Sequence, residues 1–230
     1  MEPQGTDLDI TTFLVASIHD MKNSLSVMNA LLEDAVRLVE DPDSPAGKQL
    51  GQAIYESQRI NDNLIQLVAL YKINEKFYPF DALQHDVADF ADEAIARVAP
   101  LAGFRGVRVS HDCPPGLLWY FDRELIFGAV MQALRNGMRY TSKQVHLSVT
   151  IEDEMLKFRV EDDGPGYPTH MLVAQPHPNQ GISFATGSTG LGLYFSTVVA
   201  RLHHNRGRIG ETRLDNGGAL GGGVFIMNLP

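Results

Sequence analysis

The chain has 230 residues, enough for more than one average domain, and with 44% hydrophobic and 20% charged residues it can build a core. Acidic residues outnumber basic ones 28 to 19, and the formal net charge of −9 disfavours nonspecific nucleic-acid binding, which needs a basic face against phosphates. One cysteine, Cys113, excludes an internal disulfide; no Cys/His cluster has zinc spacing, and no apolar run approaches the ~18 residues of a membrane-spanning helix.

In chain order, the opening MEPQGTDLDI lacks the basic and apolar regions of a secretory signal, and Gly5 lies too far in for myristoylation. A soluble cytoplasmic protein is expected. Leu14, Ile18, Met21, Leu25, Met28, Leu32, Ala35 and Val39 then alternate four- and three-residue steps, which predicts a helix of roughly 30 residues with a heptad seam. Asp41-Pro-Asp-Ser-Pro-Ala-Gly47 stops it. A second seam runs through Ile60, Leu64, Leu67 and Tyr71 and ends near the polar Asn74. Together they predict an antiparallel helical hairpin over residues 1–76. Leu31, Leu38, Leu50 and Ile54 lie partly off these seams, and a second copy of the hairpin would bury them as a four-helix bundle. The competing reading is a monomer whose second domain covers them; the homodimer is preferred.

Phe77-Tyr-Pro-Phe80 reads as a hinge opening a second domain over 77–230. Asp86–Leu101 has helical periodicity, Gly106–His111 and Leu117–Phe121 read as strands, and Arg123–Tyr140 as a helix. Val145–Ile151 and Met155–Val160 are two strands meeting at Glu152-Asp-Glu154. Tyr167–Thr189 is polar and aperiodic, Leu191–His203 is helical, and Gly207 onward is a hairpin. Strands and helices in this irregular alternation indicate an α+β fold. A doubly wound dinucleotide fold is disfavoured, because its parallel repeats and first-strand glycine fingerprint are missing.

Four motifs carry chemistry. Ser17-Ile-His19-Asp20-Met-Lys-Asn23 lies in the first helix. Ile18 is on the seam, so His19 turns to the flank, with Asn23 one turn on along the same face. Alone, such a histidine reads as a solvated surface residue. Asn136-Gly-Met-Arg139-Tyr140 closes the Arg123–Tyr140 helix. Asp162-x-Gly164-x-Gly166 lets the backbone turn sharply at a strand end. Thr189-Gly190-Leu191-Gly192-Leu193 opens a helix whose first N–H groups can meet phosphates.

In this order and spacing, across nearly the whole chain, the four motifs resemble the sensor histidine kinases of two-component signalling. The resemblance implies a dimerisation and phosphotransfer hairpin followed by a GHKL-type α/β sandwich that binds ATP with Mg²⁺. It implies that His19 is the phospho-acceptor, Asp20 its hydrogen-bond partner, and Asn23 the residue serving dephosphorylation of the partner. A histidine with pKa near ~6.5 is largely neutral at cytoplasmic pH, so a ring nitrogen is available as a nucleophile. Asn136 looks like the magnesium-binding asparagine, with Gln132 beside it in the metal set. Arg139 occupies the place of a basic residue near the phosphates, and Tyr140 packs by the nucleotide or, on the plainer reading, at the edge of the core. Asp162 would bond the adenine amino group, Gly164 and Gly166 shape that pocket, and Thr189, Gly190, Leu191 and Gly192 line the phosphate side. Residues 167–189 match the family's ATP lid.

Three positions depart from the family. Gln132 stands where it usually has asparagine, and where related ATPases that hydrolyse with water carry a glutamate base; a glutamine amide cannot take a proton. Ser188 replaces a frequent glycine. Ser24 replaces a frequent proline, so no kink is expected in the first helix. The expected activity is autophosphorylation from ATP and transfer to an aspartate on a response-regulator receiver. Few residues precede the first helix, so input is expected from a separate sensor protein or from the rest of a longer receptor. The alternative is a histidine phosphotransfer or scaffold protein with a degenerate ATP domain. A GHKL serine kinase leaves the histidine motif on a heptad helix unexplained.

Overall fold

The computed structural model describes residues 10–39, 44–173 and 190–230, excluding the side chains of 10–16, 19 and 33. The chain divides into two units, residues 1–76 and 77–230.

The first unit is a pair of long helices, α1 (Ile10–Arg37) and α2 (Pro45–Asn74). Ser44 caps α2 by accepting from Gly47 N at 3.1 Å, and Pro45 sits in the first turn, where its missing N–H costs nothing. α1 runs unbroken through Ser24, whose hydroxyl donates to the Asp20 carbonyl at 3.0 Å. It stops two residues short of Val39, the last expected seam position. The seam is also less buried than its periodicity implies. Ile18 is buried, but Met21, Met28, Ile60 and Leu67 are exposed, as are Leu31 and Leu38 off the seam. One neighbouring helix shields only a narrow stripe, and α2 fills its buried positions with Gly47, Gly51, Tyr55, Ser57 and Gln66. No described helix is long and apolar enough to cross a membrane.

The second unit is an α/β sandwich. Its strands are β1 (Leu83–Asp86), β2 (Arg108–Asp112), β3 (Leu118–Phe121), β4 (Gln144–Glu152), β5 (Met155–Asp162), β6 (His204–Asn205), β7 (Arg208–Ile209), β8 (Glu211–Asn216) and β9 (Gly223–Leu229). The helices are α3 (Val87–Phe104), α4 (Arg123–Tyr140), α5 (Thr169–Val173) and α6 (Leu191–Leu202). Five strands form a mixed sheet in the order β2-β4-β5-β9-β8, parallel only between β2 and β4. β4 and β5 alternate, burying Val145, Leu147 and Val149 on one strand and Leu156, Phe158 and Val160 on the other, with Leu147 opposite Val160 and Val149 opposite Phe158. α4 packs between α3 and α6, and all three helices lie against these strands. The core between the layers holds Phe90, Phe121 and Phe158, with ring centroids 5.3–6.3 Å apart, and the fully buried Ile126, Leu134 and Met138 of α4.

Several boundaries move from expectation. α3 continues past Pro100 to Phe104, with Asp86 as its cap. β1 and the β6–β7 pair were not foreseen, and α5 begins inside the stretch read as aperiodic. The Phe77–Phe80 segment, read as a hinge, makes these contacts within the second unit. Tyr78 OH donates to Asp122 Oδ1 at 3.2 Å, Asp81 N donates to Asp122 Oδ2 at 3.2 Å, and the Phe80 ring meets His203 edge-on at 5.0 Å. His203 is buried, accepting from Asp122 N at 2.9 Å through Nε2 while Nδ1 donates to the Val199 carbonyl at 2.8 Å. Burial holds its pKa below the ordinary histidine value.

Candidate nucleotide-binding site

The site is built along one stripe of α4. Asp122 starts the helix by accepting from Leu125 N at 3.1 Å, and the apolar positions 125, 126, 129, 130, 133, 134 and 138 face the core. Gln132, Asn136 and Tyr140, spaced by four, therefore share the remaining edge.

Asp162 ends β5 and is buried at 7% exposure. Its Oδ1 accepts from Gly164 N at 2.8 Å and Gly223 N at 3.2 Å, and its carbonyl from Gly222 N at 3.0 Å. A Cβ at position 223 would lie 2.8 Å from Asp162 Oδ2, so glycine keeps that oxygen uncovered. Burial raises the Asp162 pKa above the usual carboxylate value, against the pull of the two backbone donors, and the charge of Asp163 adds to the rise.

Asp163, one residue on, does the opposite work. Its Oδ1 accepts from the Thr141 hydroxyl and from the amides of Ser142, Lys143 and Gln144, closing the turn from α4 to β4. Burial alone would raise its pKa, but these donors carry it down to about 2. Asp163→Ala should lower unfolding stability by roughly 1–3 kcal/mol at neutral pH, since several amides lose a charged acceptor. The stabilisation is full above the ordinary carboxylate value of 3.8 and disappears as pH falls through about 2. Thermal denaturation at stepped pH should show the difference between variant and unmutated chain closing over that window.

The glycine turn after Asp162 is fixed by its neighbours. A Cβ on Gly164 would lie 2.9 Å from the Tyr140 carbonyl carbon and 2.9 Å from Asp162 Oδ1. Gly166 has φ +80°, and beyond it Asn216 reads both backbone groups of Tyr167, accepting from its N at 2.6 Å and donating to its carbonyl at 2.8 Å. A Cβ at 223 would also come within 3.1 Å of the Tyr167 ring. Burial, then the charges of Asp162 and Tyr140, push the Tyr167 phenol well above its ordinary pKa, so it stays neutral. Arg139 stacks over the Tyr140 ring at 5.3 Å, and Tyr140 is half exposed at the rim. Gly190 caps α6 in a left-handed conformation and makes no side-chain cap bond; Leu191 and the buried Gly192 form the first turn. Thr189 and Ser188 lie outside the described residues.

Asn136 offers Oδ1, an oxygen suited to a hard cation. Gln132 instead directs its amide nitrogen at that oxygen, 3.4 Å away. Gln132, expected beside Asn136 in the metal set, thus lies one turn before it on α4 with its amide against the Asn136 side chain. Among the described residues no three His, Cys, Asp or Glu side chains could together hold a metal. A cation here would need phosphate oxygens to complete its shell.

The structure thus brings together Gln132, Asn136, Tyr140, Asp162, Gly164, Gly166 and Gly192. The sequence reading missed Asn216, Tyr167, Gly222 and Gly223 as site residues; the glycine-rich 217–223 run was the available signal. In the first unit His19 lies within α1 and its side chain is outside the described atoms. Asp20 and Asn23 are exposed, Asn23 one helical turn after position 19.

Residues 121–230 match the family described as histidine kinase-, DNA gyrase B-, and HSP90-like ATPase. The sensor-like histidine kinase SenX3 of Mycolicibacterium smegmatis is 24% identical over 226 residues, covering 95% of this chain and 56% of that protein. The signal transduction histidine-protein kinase AfsQ2 of Streptomyces coelicolor is 25% identical over 240 residues, covering 95% and 41% respectively. The chain spans about half the length of these curated relatives. Among solved structures, the Acinetobacter baumannii histidine kinase AdeS shares the fold, with TM-score 0.56 at 16% identity over 92% of this chain and 96% of that one.

Proposed function

We propose, from the premise that residues 121–230 form a histidine kinase-, DNA gyrase B- and HSP90-like ATPase domain within the catalytic core of a two-component sensor histidine kinase, that this chain autophosphorylates on His19. The phosphoryl group would then pass to an aspartate of a response-regulator receiver in the cytoplasm. The observation that carries the nucleotide half is the convergence of Asp162, Asn136 and the glycine turns on one edge of α4.

Asp162, held by two backbone donors, presents Oδ2 to the adenine amino group, while Asn136 and the first turn of α6 face the phosphates. Mg²⁺ on Asn136 would supply neutralisation of phosphate charge when bound. Asp20 would accept a hydrogen bond from Nδ1–H of His19, the tautomer that leaves Nε2 with its lone pair. That nitrogen attacks the γ-phosphorus, the bond to the bridging oxygen breaks, and ADP leaves with the electron pair. Positioning supplies most of the catalysis in such an in-line transfer. Two copies would form the active unit, because Met21, Val27, Met28, Leu31, Leu38, Ile60, Ile65 and Leu67 are exposed on one hairpin.

Asn23 is proposed to hold a water against the regulator's aspartyl phosphate. Its neutral amide cannot act as a base, so Asn23→Ala should spare autophosphorylation and phosphotransfer while slowing regulator dephosphorylation about tenfold or more. Paired rate assays with a purified receiver test this. Equal loss of all three activities in a folded variant would remove the special role. A second reading, a phosphotransfer scaffold that binds no ATP, draws support from the Gln132 amide lying on the Asn136 oxygen. Calorimetry with ADP separates the two.

A further inference from the structure

We propose that Gln132 is a positioning residue that sets the magnesium dependence of nucleotide binding, by occupying the Asn136 oxygen from a seat made by Gly192. The inference rests on the nucleotide-binding reading above.

Three observations define the seat. Gln132 leaves α4 half-buried and crosses to the first turn of α6, where a Cβ at position 192 would lie 2.7 Å from Gln132 Cγ and closer still to its amide. The side chain can lie flat there only because residue 192 has none. Its Nε2 then donates to Asn136 Oδ1 at 3.4 Å, one turn further along α4. The crossing of α4 with α6 is tight. A Cβ on Gly128 would meet the Phe195 ring at 3.3 Å, and Ser196 Oγ donates to the Gly192 carbonyl at 3.0 Å. The backbone beneath Gln132 therefore has little room to yield, and the glutamine side chain is the movable part.

An amide N–H aimed at Asn136 Oδ1 puts the positive end of a dipole where a cation would approach. A metal ion at Asn136 would share that oxygen with the Gln132 N–H or turn the Gln132 side chain away from its seat on Gly192. Cation binding and contact between α4 and α6 are thereby set against each other.

The test is calorimetric binding of ADP to the full chain, with and without Mg²⁺, for the unmutated protein, Gln132→Ala, Gly192→Ala and the double variant. In the unmutated chain Mg²⁺ should improve ADP affinity by less than about threefold, and in Gln132→Ala by about tenfold or more, the equivalent of one removed hydrogen bond. Gly192→Ala, by pushing Gln132 off Asn136, should give the same gain in Mg²⁺ effect, and the double variant no further gain. An equal Mg²⁺ effect in Gln132→Ala and the unmutated chain overturns the proposal, even if Gly192→Ala fails to fold. Absence of ADP binding by the unmutated chain with or without Mg²⁺ instead overturns the nucleotide reading beneath it.

Discussion

His19→Gln should abolish transfer of label from γ-labelled ATP while ADP affinity stays within about twofold, the usual limit for independent sites. Glutamine keeps hydrogen-bonding capacity but has no nucleophilic ring nitrogen, so the first chemical step has no acceptor. The nucleotide contacts proposed above all lie between residues 132 and 223, within the second unit. Filter-bound label and calorimetry on the same preparation measure both quantities. Residual label above a few per cent of the unmutated rate, estimated against the large losses typical of a removed nucleophile, would place the acceptor elsewhere.

The second large effect is at Asp162. Asp162→Asn should weaken ADP binding roughly 10–100-fold, the range for a lost charge-assisted bond of ~1.5–3 kcal/mol. The substitution retains an oxygen for the amides of Gly164 and Gly223, so the turn survives. It places an amide NH₂ at the uncovered edge, where donor would face donor. The pH dependence distinguishes a binding role from a purely structural one. Burial raises the Asp162 pKa, so the accepting carboxylate is lost at a higher pH than for an ordinary aspartate. Binding to the unmutated chain should therefore weaken as pH falls through that raised value, and the variant should lack this transition. Stability runs the other way. A raised folded pKa favours the protonated folded state, so acidification relieves strain at Asp162 while it removes stabilisation at Asp163. Two adjacent aspartates thus have opposite acid responses, because one is buried at the end of β5 and the other satisfied by a turn.

How far this was legible depends on the range of the interaction. α4 was read with both its ends because Asp122 is a local cap and the apolar stripe is local. β4 and β5 followed from alternation about the turn at Asp153 and Glu154, both of which adopt positive φ. β1 was invisible: Leu-Gln-His-Asp has no β-branched residue, and it becomes a strand only by pairing with β3, far along the chain. Asn216 was missed for the same reason, since its partner Tyr167 is 49 residues away. The hairpin seams showed correct helices but overstated burial, because Met21, Met28, Ile60 and Leu67 are not covered by one neighbouring helix. The Gln132 departure was visible as a residue, yet its seat on Gly192 exists only where α4 crosses α6.

The central claim is that this chain carries phosphate on a histidine. Incubating the unmutated protein with γ-labelled ATP and Mg²⁺, then splitting the denatured product between acid and alkali, tests it most directly. The account predicts label on the protein that is lost in acid and kept in alkali, as a phosphoramidate requires. Label that survives acid, or no label from a protein that binds ADP in calorimetry, would contradict it.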